Sequence, residues 1–406
     1  MRILKFGGTS VADAAALRRV VALVREAASR DEVAVVVSAM AGVTDLLVEA
    51  GQVGDPEVVR RLALRHLHCL EELAPADQLG RRQVGYRLGR LARRLEVLAA
   101  CGGTPATRDA VVAAGEQLSA PLLAAALRAA GVAAVALEAR RLIATDSRFG
   151  DATVELERTG RRVRRLLARL PRGVVPVIPG FYGGDRRGRV TTLGRGGSDT
   201  TATVLGAVLQ AERVEIFTDV DGVLSAPPRL VPEAEVVPSL SFDEALAIAA
   251  HGGKVLHHKS ISPCREAGVP VVVRNTFRPH RPGTVIGAVR QPARRVVGVT
   301  GRPWEESDPG LALLAVVGEG AEASPAVAAR ARTTLAAAGI PEWGVPSPAF
   351  PAAFRLAVER AALAEAVAVL HRALVEGTRG RCASEATWTA VRPPAAGAPR
   401  EEVWHG

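Results

Sequence analysis

One apolar run near the N-terminus constrains the fold of this chain more than any other feature. The run Val33-Ala34-Val35-Val36-Val37-Ser38 has no polar side chain before its last position, and valines dominate it. A strand without a polar face is typical of a parallel sheet that helices cover on both sides. Strand-like runs also occur at Arg2–Phe6, Val174–Ile178 and Val214–Phe217, with helical patterns between them. The sequence therefore predicts an α/β fold with a mainly parallel central sheet between helices.

Length and composition are those of an ordinary globular protein that is large enough for two domains. The chain has 406 residues, of which 48% are hydrophobic and 23% are charged, so it can bury a large core. Its cysteines show no CxxC spacing, which argues against a zinc site and against a disulfide framework. We expect reduced, structural cysteines at Cys69, Cys101, Cys264 and Cys382.

The N-terminus and the hydropathy of the chain bear on its location. Met1 leads directly into the strand-like Arg2–Phe6, without the pattern of a signal peptide. No apolar run is expected to reach the length that spans a bilayer. We therefore expect no membrane association and a cytoplasmic location.

The net charge of +10 raises the question of nucleic-acid binding. The arginines are spread through helices and linkers, and clusters such as residues 161–165 have the pattern of solvated helix faces. Aromatic residues make up only 3% of the chain, which is too few for base-stacking platforms. We expect no nucleic-acid partner.

Lysine is rare in this chain. Only three of the 52 basic residues are lysines: Lys5, Lys254 and Lys259. A compact ammonium can follow a transferring phosphoryl group, which a planar guanidinium does poorly. The three lysines are therefore candidates for phosphate chemistry, although so small a number is also compatible with chance.

The segment Thr191–Asp199 combines closely spaced glycines with two charged residues. Its glycines at 194, 196 and 197 allow backbone N–H groups to approach a ligand and to form an anion-binding concavity. The residues that follow have a helical pattern, so the positive end of a helix points at this loop. Arg195 suits a carboxylate, and Asp199 needs a cation as its partner. By itself, the loop is equally compatible with a plain glycine-rich turn and an exposed arginine.

A second glycine turn, Gly7-Gly8-Thr9-Ser10, separates the first strand from a helical pattern over Val11–Glu26. Such a turn presents backbone N–H groups to phosphate at a helix start, and Lys5 stands at the strand end that faces it. The turn matches neither the Walker A loop nor the dinucleotide-binding fingerprint. The polar turn Ala39–Asp45 follows the next strand in the same way, at the strand end where ligands gather in open α/β sheets.

Three further segments are candidates for ligand contacts. Glu116 follows a glycine in a small-residue helical pattern, which favours a ligand contact only modestly. The acidic turn Thr218–Val223 is compatible with a nucleotide site or with a plain strand end, and Lys254 follows a glycine pair. His66 and His68 do not share a helix face, so we expect no metal pair there.

Taken in order, these motifs resemble those of the aspartokinases, within the amino acid kinase superfamily. The resemblance covers Met1 to about Ile286 and continues more weakly towards the C-terminus. It implies the amino acid kinase fold. The stretches that carry it are Lys5-Phe6-Gly7-Gly8-Thr9-Ser10-Val11, Val36-Val37-Ser38-Ala39-Met40-Ala41-Gly42-Val43-Thr44, Gly115-Glu116-Gln117-Leu118-Ser119, Thr191–Asp199, Thr218-Asp219-Val220-Asp221-Gly222-Val223, Gly253-Lys254-Val255-Leu256-His257 and Asn275-Thr276-Phe277.

The resemblance also implies an activity. Aspartokinases transfer the γ-phosphoryl group of ATP to the β-carboxylate of L-aspartate and give 4-phospho-L-aspartate, the first step towards lysine, threonine and methionine. The nucleophile is already an anion, so catalysis needs positioning and charge neutralisation and no protein base. Mg²⁺ would be held mainly by phosphate oxygens and water, and no metal-binding side chains are implied.

Matching motifs give each site residue an implied role. Lys5 would neutralise the phosphoryl group in flight, and Asp199 would orient Lys5. Arg195 would bind the substrate α-carboxylate and Glu116 its α-ammonium. Hydrogen bonds to the substrate would come from Thr44 and Ser198. The ATP site would be lined by Lys5, Gly7, Gly8, Thr218, Asp219, Leu224, Arg229, Lys254 and Val255.

Two departures from the family pattern concern the nucleotide. Leu224 stands where family members usually carry an aromatic residue, often tyrosine, and Pro227 stands where they carry an aspartate. We expect weaker or relaxed nucleotide binding. The same departures support an alternative reading, a catalytically lapsed amino-acid sensor. A different amino-acid kinase is disfavoured because Glu116 and Arg195 match both ends of a free amino acid.

The C-terminal third resembles a small-molecule regulatory module, the ACT domain, with the order βαββαβ. We predict a catalytic domain over 1–290, an ACT-like domain over 291–391 that follows the linker Gln291–Arg295, and a flexible tail over 392–406. Aspartokinases generally carry two ACT domains, and this chain has room for one plus an extra strand, Val296–Val299. We expect lysine or threonine as an effector and a homodimer or higher homo-oligomer. The predicted elements are strand Leu311–Val317, helix Pro325–Ala338, a short strand around Trp343, strand Phe354–Val358, helix Ala361–Leu374 and strand Ala383–Val391.

Overall fold

The computed structural model describes residues 1–253, 255–287, 296–304, 308–345 and 352–376. Several of the predictions above fall outside these residues. They concern Lys254, the linker Gln291–Arg295, Cys382, the strand Ala383–Val391 and the tail 392–406.

A mainly parallel sheet forms the centre of the described part of residues 1–287. The strands here are β1 (Arg2–Phe6), β2 (Val33–Val37), β3 (Ala134–Ala136), β4 (Val175–Pro179), β5 (Tyr182–Gly184), β6 (Val190–Thr192), β7 (Arg213–Thr218), β8 (Ser239–Leu240), β9 (Val271–Asn275) and β10 (Thr284–Ile286). The sheet has the order β3-β4-β2-β1-β7-β9-β10-β8, and only the pair β9 and β10 is antiparallel. Strands β5 and β6 form a separate antiparallel hairpin. The predicted parallel sheet is therefore confirmed.

Helices cover both faces of this sheet. They are α1 (Ala14–Ala28), α2 (Val43–Val53), α3 (Glu57–Leu73), α4 (Gln78–Cys101), α5 (Pro105–Val112), α6 (Ala114–Ala129), α7 (Ala139–Leu142), α8 (Leu156–Leu167), α9 (Gly197–Leu209), α10 (Phe242–Ala250) and α11 (His258–Ala267). On β2, Val35 and Val37 pack in the core that contains α1 and α6, whereas Val36 packs in the core that contains α9. The run from Val33 has no polar face because both of its faces are buried.

Helix α1 begins later than the sequence predicts. A short 3-10 turn covers Thr9–Val11, and the helix starts at Ala14 instead of Val11. The carboxylate of Asp13 accepts a hydrogen bond from the Ala16 N–H group at 2.8 Å and so caps the helix. The apolar pattern alone does not show this boundary because Val11, in the preceding turn, is also buried.

The segment Pro105–Ala129, which comprises α5 and α6, corrects the expectation that no apolar run is long enough to span a bilayer. By length and composition alone, this segment is long and apolar enough to do so. However, 89% of its most apolar stretch is buried inside the structure, and every residue of 114–127 is buried. This burial is the pattern of a helix in a protein core.

A second, antiparallel sheet lies in the described part of residues 296–376. Its elements are β11 (Gly298–Pro303), β12 (Leu311–Val317), α12 (Pro325–Ala337), β13 (Trp343–Gly344), β14 (Ala353–Glu359) and α13 (Leu363–Leu374). The strand order is β11-β12-β14-β13, and α12 and α13 pack with this sheet in one core. From β12 to α13 the order is βαββα, as expected for an ACT-like fold. The extra strand, predicted at Val296–Val299, is present but runs over Gly298–Pro303.

A buried ion-pair cluster lies on one face of the central strands. Glu215 on β7 is 1% exposed, and its two carboxylate oxygens lie 2.8 Å from Arg2 Nε and 3.0 Å from Arg274 Nη1. Burial by itself would raise the pKa of the Glu215 carboxyl, but the guanidiniums of Arg2, Arg213 and Arg274 outweigh burial and hold that pKa below its usual range. The ionised carboxylate thus neutralises cations that would otherwise repel one another inside the sheet.

We expect Glu215→Gln to lower the free energy of unfolding by about 3 kcal/mol, because a neutral amide leaves these guanidiniums without a counter-charge. The pKa of the folded state lies below the ordinary value of 4.5. The difference in the free energy of unfolding between the wild type and this variant should therefore have its full size above pH 4.5. It should shrink as the pH falls through the folded-state pKa of Glu215. Urea unfolding at pH 7 and at pH 3 measures the difference.

The matched control is Glu157→Gln, because Glu157 pairs with Arg161 on an exposed helix face. This variant should unfold like the wild type at both pH values. If Glu215→Gln also unfolds like the wild type at pH 7, the cluster does not stabilise the sheet.

Candidate active site

A buried ion pair lies at the carboxyl ends of the central strands. Lys5 is the penultimate residue of β1, and Asp199 lies in the first turn of α9. The Lys5 Nζ atom lies 2.5 Å from Asp199 Oδ1, and the two side chains are only 9% and 14% exposed. The cation that the sequence requires as a partner for Asp199 is therefore Lys5.

The glycine turn after β1 lies directly above this pair. The Gly7 N–H group donates to the Phe217 carbonyl oxygen at 3.0 Å, and the Gly8 carbonyl oxygen accepts from Ala41 N–H at 3.1 Å. A side chain at Gly7 would place its Cβ 3.6 Å from Lys5 Nζ. Gly7 and Gly8 thus lie between β7 and the turn that follows β2, next to the lysine ammonium.

Helix α6 brings a buried carboxyl to the same place. Gly115 allows the close approach, because a Cβ at this position would lie 2.6 Å from Ala39 Cβ. The next residue, Glu116, is 3% exposed. Burial raises the pKa of its carboxyl to about 8, although the Ala39 N–H group and the Lys5 ammonium act in the opposite direction. Glu116 is therefore a buried acid whose ionisation a nearby ammonium group would favour.

The predicted substrate hydroxyls lie at two helix starts around the ion pair. Thr44 is half-buried in the first turn of α2, and Ser198 is buried in the first turn of α9, against Gly180. Both helix starts point positive backbone ends towards the carboxyl ends of the strands. They are suited to an anionic ligand.

Arg195 lies on an exposed turn between two glycines. Gly194 and Gly196 have φ values of +73° and +70°, which glycine adopts without strain. Within the described residues, the Arg195 guanidinium makes no hydrogen bond and no ion pair, so it is available to a carboxylate. Next to this turn, Lys259 pairs with Asp151, with its Nζ atom 2.8 and 2.6 Å from the two carboxylate oxygens.

The acidic turn after β7 is held by Asn275, for which we predicted no role. The Asn275 side-chain amide donates to Asp221 Oδ1 at 2.6 Å and to the Asp219 carbonyl oxygen at 3.3 Å. The hydroxyl of Thr218 lies 3.2 Å from Asp219 Oδ1. Thr218 and Asp219 thus stand at the open end of an ordered turn beside the Gly7-Gly8 turn.

A mainly apolar cavity of about 370 Å³ opens beyond this turn. Three predicted nucleotide residues, Leu224, Arg229 and Val255, line it together with Pro227. Residues 298–300 of β11, from the second sheet, also line it. Lys254 lies outside the described residues, but its neighbours on both sides line the cavity.

Two further residues shape the site without being predicted. Arg65 on α3 donates to the carbonyl oxygens of Ala41 at 2.8 Å and Ala12 at 2.9 Å, and so ties together the turns that follow β1 and β2. Phe181 has a φ of +73°, a conformation that is strained for a residue with a side chain. The Pro-Gly-Phe-Tyr-Gly-Gly stretch signals a turn there, whereas no spacing in the sequence signals Arg65.

Among the described residues, no group of three His, Cys, Asp or Glu side chains is placed to hold a metal ion. Cys69, Cys101 and Cys264 are free thiols.

Sequence comparison finds relatives of this chain. Residues 1–275 match the model of the amino acid kinase family. Lysine-sensitive aspartokinase 3 of Escherichia coli (strain K12) is 37% identical over 292 residues, which are 70% of this chain and 63% of that protein. Aspartokinase of Rickettsia prowazekii (strain Madrid E) is 35% identical over 286 residues, which are 70% of this chain and 54% of that protein. The chain thus spans between about half and two thirds of the length of these relatives.

Solved structures of aspartokinases share the fold. E. coli aspartokinase III in complex with aspartate and ADP (R-state) has a TM-score of 0.82 and 26% sequence identity, over 92% of this chain and 99% of that one. The complex of E. coli aspartokinase III with lysine and aspartate (T-state) has a TM-score of 0.68 and 30% identity, over 88% of this chain and 79% of that one. Because the family model matches residues 1–275, which is well over half of this chain, and because the central sheet has the expected arrangement, the chain belongs to the amino acid kinase family.

Proposed function

We propose that this protein is an aspartate kinase, which transfers the γ-phosphoryl group of ATP to the β-carboxylate of L-aspartate and releases 4-phospho-L-aspartate and ADP. The buried Lys5–Asp199 ion pair, beside the glycine turn at 7–8, is the observation that carries the proposal. The pair would present one oriented ammonium to the phosphoryl group. The similarity to aspartokinase III in complex with aspartate and ADP supports the choice of substrates.

The acceptor would be held at both ends. Arg195 is available for the α-carboxylate, and the buried Glu116 carboxyl matches the α-ammonium. The Thr44 and Ser198 hydroxyls would donate hydrogen bonds to the carboxylate groups. The β-carboxylate is then directed towards the phosphate, and it needs no base because it is already ionised.

Lys5 would neutralise charge on the γ-phosphoryl group as it moves between donor and acceptor oxygens. Asp199 fixes the position of the ammonium through their contact, so little reorganisation is needed during the reaction. The Gly8 N–H group would donate to the phosphate. Gly7, whose own N–H group donates to the Phe217 carbonyl oxygen, would leave room for the phosphate beside the Lys5 ammonium. No bond to the protein forms, and the phosphoryl group passes directly to the acceptor.

ATP would occupy the apolar cavity and the turn beside it. Thr218, Asp219 and Val255 would contact the nucleotide along with Lys254, and Arg229 would bind its phosphates. Mg²⁺ would be held by phosphate oxygens and water. Leu224 offers an apolar surface to the base in place of a stacking ring, so base selectivity should be relaxed.

We also propose the wider assignments that the sequence suggests. Residues 1–290 would be the catalytic domain and 291–391 a regulatory domain that binds lysine or threonine, with 392–406 as a tail. The protein would act in the cytoplasm as a homodimer or higher homo-oligomer. The lysine complex of aspartokinase III supports lysine as the first effector to test.

A lapsed amino-acid sensor is the second candidate, because Leu224 and Pro227 lie in the nucleotide cavity. The deciding experiment is ATP- and Mg²⁺-dependent acyl-phosphate formation, trapped with hydroxylamine, with aspartate, glutamate and acetylglutamate compared in parallel. We expect signal with aspartate alone. Folded protein that is silent with every acceptor would make the sensor the better assignment.

Lys5→Met should lower kcat by about 100-fold or more while the KM for aspartate stays near the wild-type value, because the lost ammonium acts on the transferring group. Arg195→Ala should have the opposite signature, a KM for aspartate raised about tenfold or more at similar kcat, because it removes a charge-assisted hydrogen bond to the substrate. Initial rates at saturating ATP separate the two. Equal turnover by the wild type and Lys5→Met would exclude the proposed role of the lysine.

The KM for aspartate should fall as the pH rises from 6 towards 8. The Glu116 carboxyl has a pKa of about 8 in the free protein, so at lower pH it must lose its proton before it can bind the α-ammonium. Each pH unit below this pKa adds about 1.4 kcal/mol to the free energy needed to remove the Glu116 proton. It should therefore raise the KM for aspartate by up to about tenfold. Glu116→Gln should raise KM at pH 8 and remove the pH dependence. A wild-type KM that stays constant over this range would contradict the assignment of Glu116.

A further inference from the structure

The cavity proposed for the nucleotide lies where the second sheet meets the described part of residues 1–287. One wall is formed by the segment 220–229, which we call the nucleotide loop, and includes Leu224 and Arg229. Gly298, Val299 and Thr300 of β11 also line the cavity, next to this loop. The second sheet therefore contributes directly to the shape of the cavity.

Hydrogen bonds to backbone carbonyl oxygens attach β11 to the nucleotide loop and to the end of α10. The Val299 N–H group donates to the Ser225 carbonyl oxygen at 2.8 Å, within the nucleotide loop. The Thr300 hydroxyl donates to the His251 carbonyl oxygen at 3.1 Å, and Arg302 Nε donates to Ala250 at 3.2 Å. These contacts fix β11 against the loop and against the end of α10.

A side-chain contact adds to this attachment. His371 lies on α13 and is fully buried, and its Nε2 atom is 2.8 Å from Ser225 Oγ. On the other side of the ring, Nδ1 lies 3.2 Å from a carboxylate oxygen of Glu376. In the tautomer that carries its proton on Nδ1, on the side of this carboxylate, Nε2 accepts the hydrogen bond of the Ser225 hydroxyl.

Ser225 also uses its hydroxyl within the loop. Its Oγ accepts a hydrogen bond from the Glu235 N–H group at 3.2 Å, and Ser225 is only 4% exposed. Serine, histidine and a carboxylate in this order also activate nucleophiles in hydrolases. Here the Ser225 hydroxyl connects the His371 ring with the nucleotide loop and with the backbone of Glu235. The burial of Ser225 favours a role in holding the loop.

We propose that His371 is a positioning residue for the nucleotide: through Ser225 it holds the nucleotide loop in the shape that receives a purine nucleoside diphosphate or triphosphate. The inference rests on the nucleotide site proposed above. The second sheet then has a function in the reaction itself, apart from any effector that it binds. Loss of the ring leaves the buried Ser225 hydroxyl without its acceptor, so the loop loses this attachment.

Binding of MgADP, measured by isothermal titration calorimetry on the full chain, tests this role. His371→Leu and Ser225→Ala should each weaken binding about threefold to tenfold. His371→Gln should stay within twofold of the wild type, because its side-chain amide can still reach the Ser225 hydroxyl. The double variant should bind MgADP no more weakly than Ser225→Ala, since Ser225→Ala already removes the hydrogen bond that His371→Leu removes.

His66→Leu is the matched control. His66 is also fully buried and also hydrogen-bonded, with Nδ1 2.8 Å from the Leu62 carbonyl oxygen, but it lies on α3 and does not line the cavity. It should leave MgADP binding within twofold of the wild type. The KM for aspartate should stay within twofold in all of these variants, which a general loss of structure would not allow.

Unchanged MgADP binding by Ser225→Ala overturns the proposal, even if His371→Leu fails to fold. Equal weakening by His371→Gln and His371→Leu also overturns it, because the hydrogen bond would then be irrelevant. Failure of the aspartate kinase assignment gives a different result: the wild type binds MgADP but forms no acyl phosphate, and the variants still report on the loop. A wild type that binds no MgADP overturns this inference along with the nucleotide site.

Discussion

The contact between Lys5 and Asp199 is the interaction on which the whole site depends. It joins the central strand β1 to the helix α9, and it places an ammonium at the edge where β1, β2 and β7 end. Parallel strands bring their carboxyl ends to one edge, so the turns that follow them meet there. Pairing between neighbouring strands sets their register, and the helices bury both faces of the sheet. The turns that form the site are therefore attached to a rigid framework.

The sequence predicted the central sheet well because its signal is local. A buried run such as Val33–Val37 has no polar face, and the helical patterns between the runs leave a parallel sheet as the consistent arrangement. The structure places Lys5, Asp199 and Glu116 near one another, as the resemblance implies. Motif resemblance, more than spacing, supplied the roles of these residues.

What the sequence did not predict depends on contacts between distant parts of the chain. Arg65 ties two turns through backbone carbonyl groups, which no pattern of side chains records. The contact between Ser225 and His371 joins residues 146 positions apart. The late start of α1 is a local exception, because Asp13 caps the helix through the nearby Ala16 N–H group. In each case the decisive partner is a backbone atom or lies far along the chain.

The two charged groups on the α-carbon of the proposed acceptor would be bound by elements on opposite faces of the sheet. Glu116 is carried by α6, which packs on one face, and Arg195 leads into α9, which packs on the other. The α-carbon would therefore be held from both faces at the edge of the sheet, with the side chain of the acceptor directed towards Lys5. An amino acid with one more methylene would carry its distal carboxylate further from this fixed α-carbon, and so out of line with the phosphoryl group. Selection for acceptor length would then depend on the distance between the site of the α-carbon and the Lys5 ammonium at the end of β1.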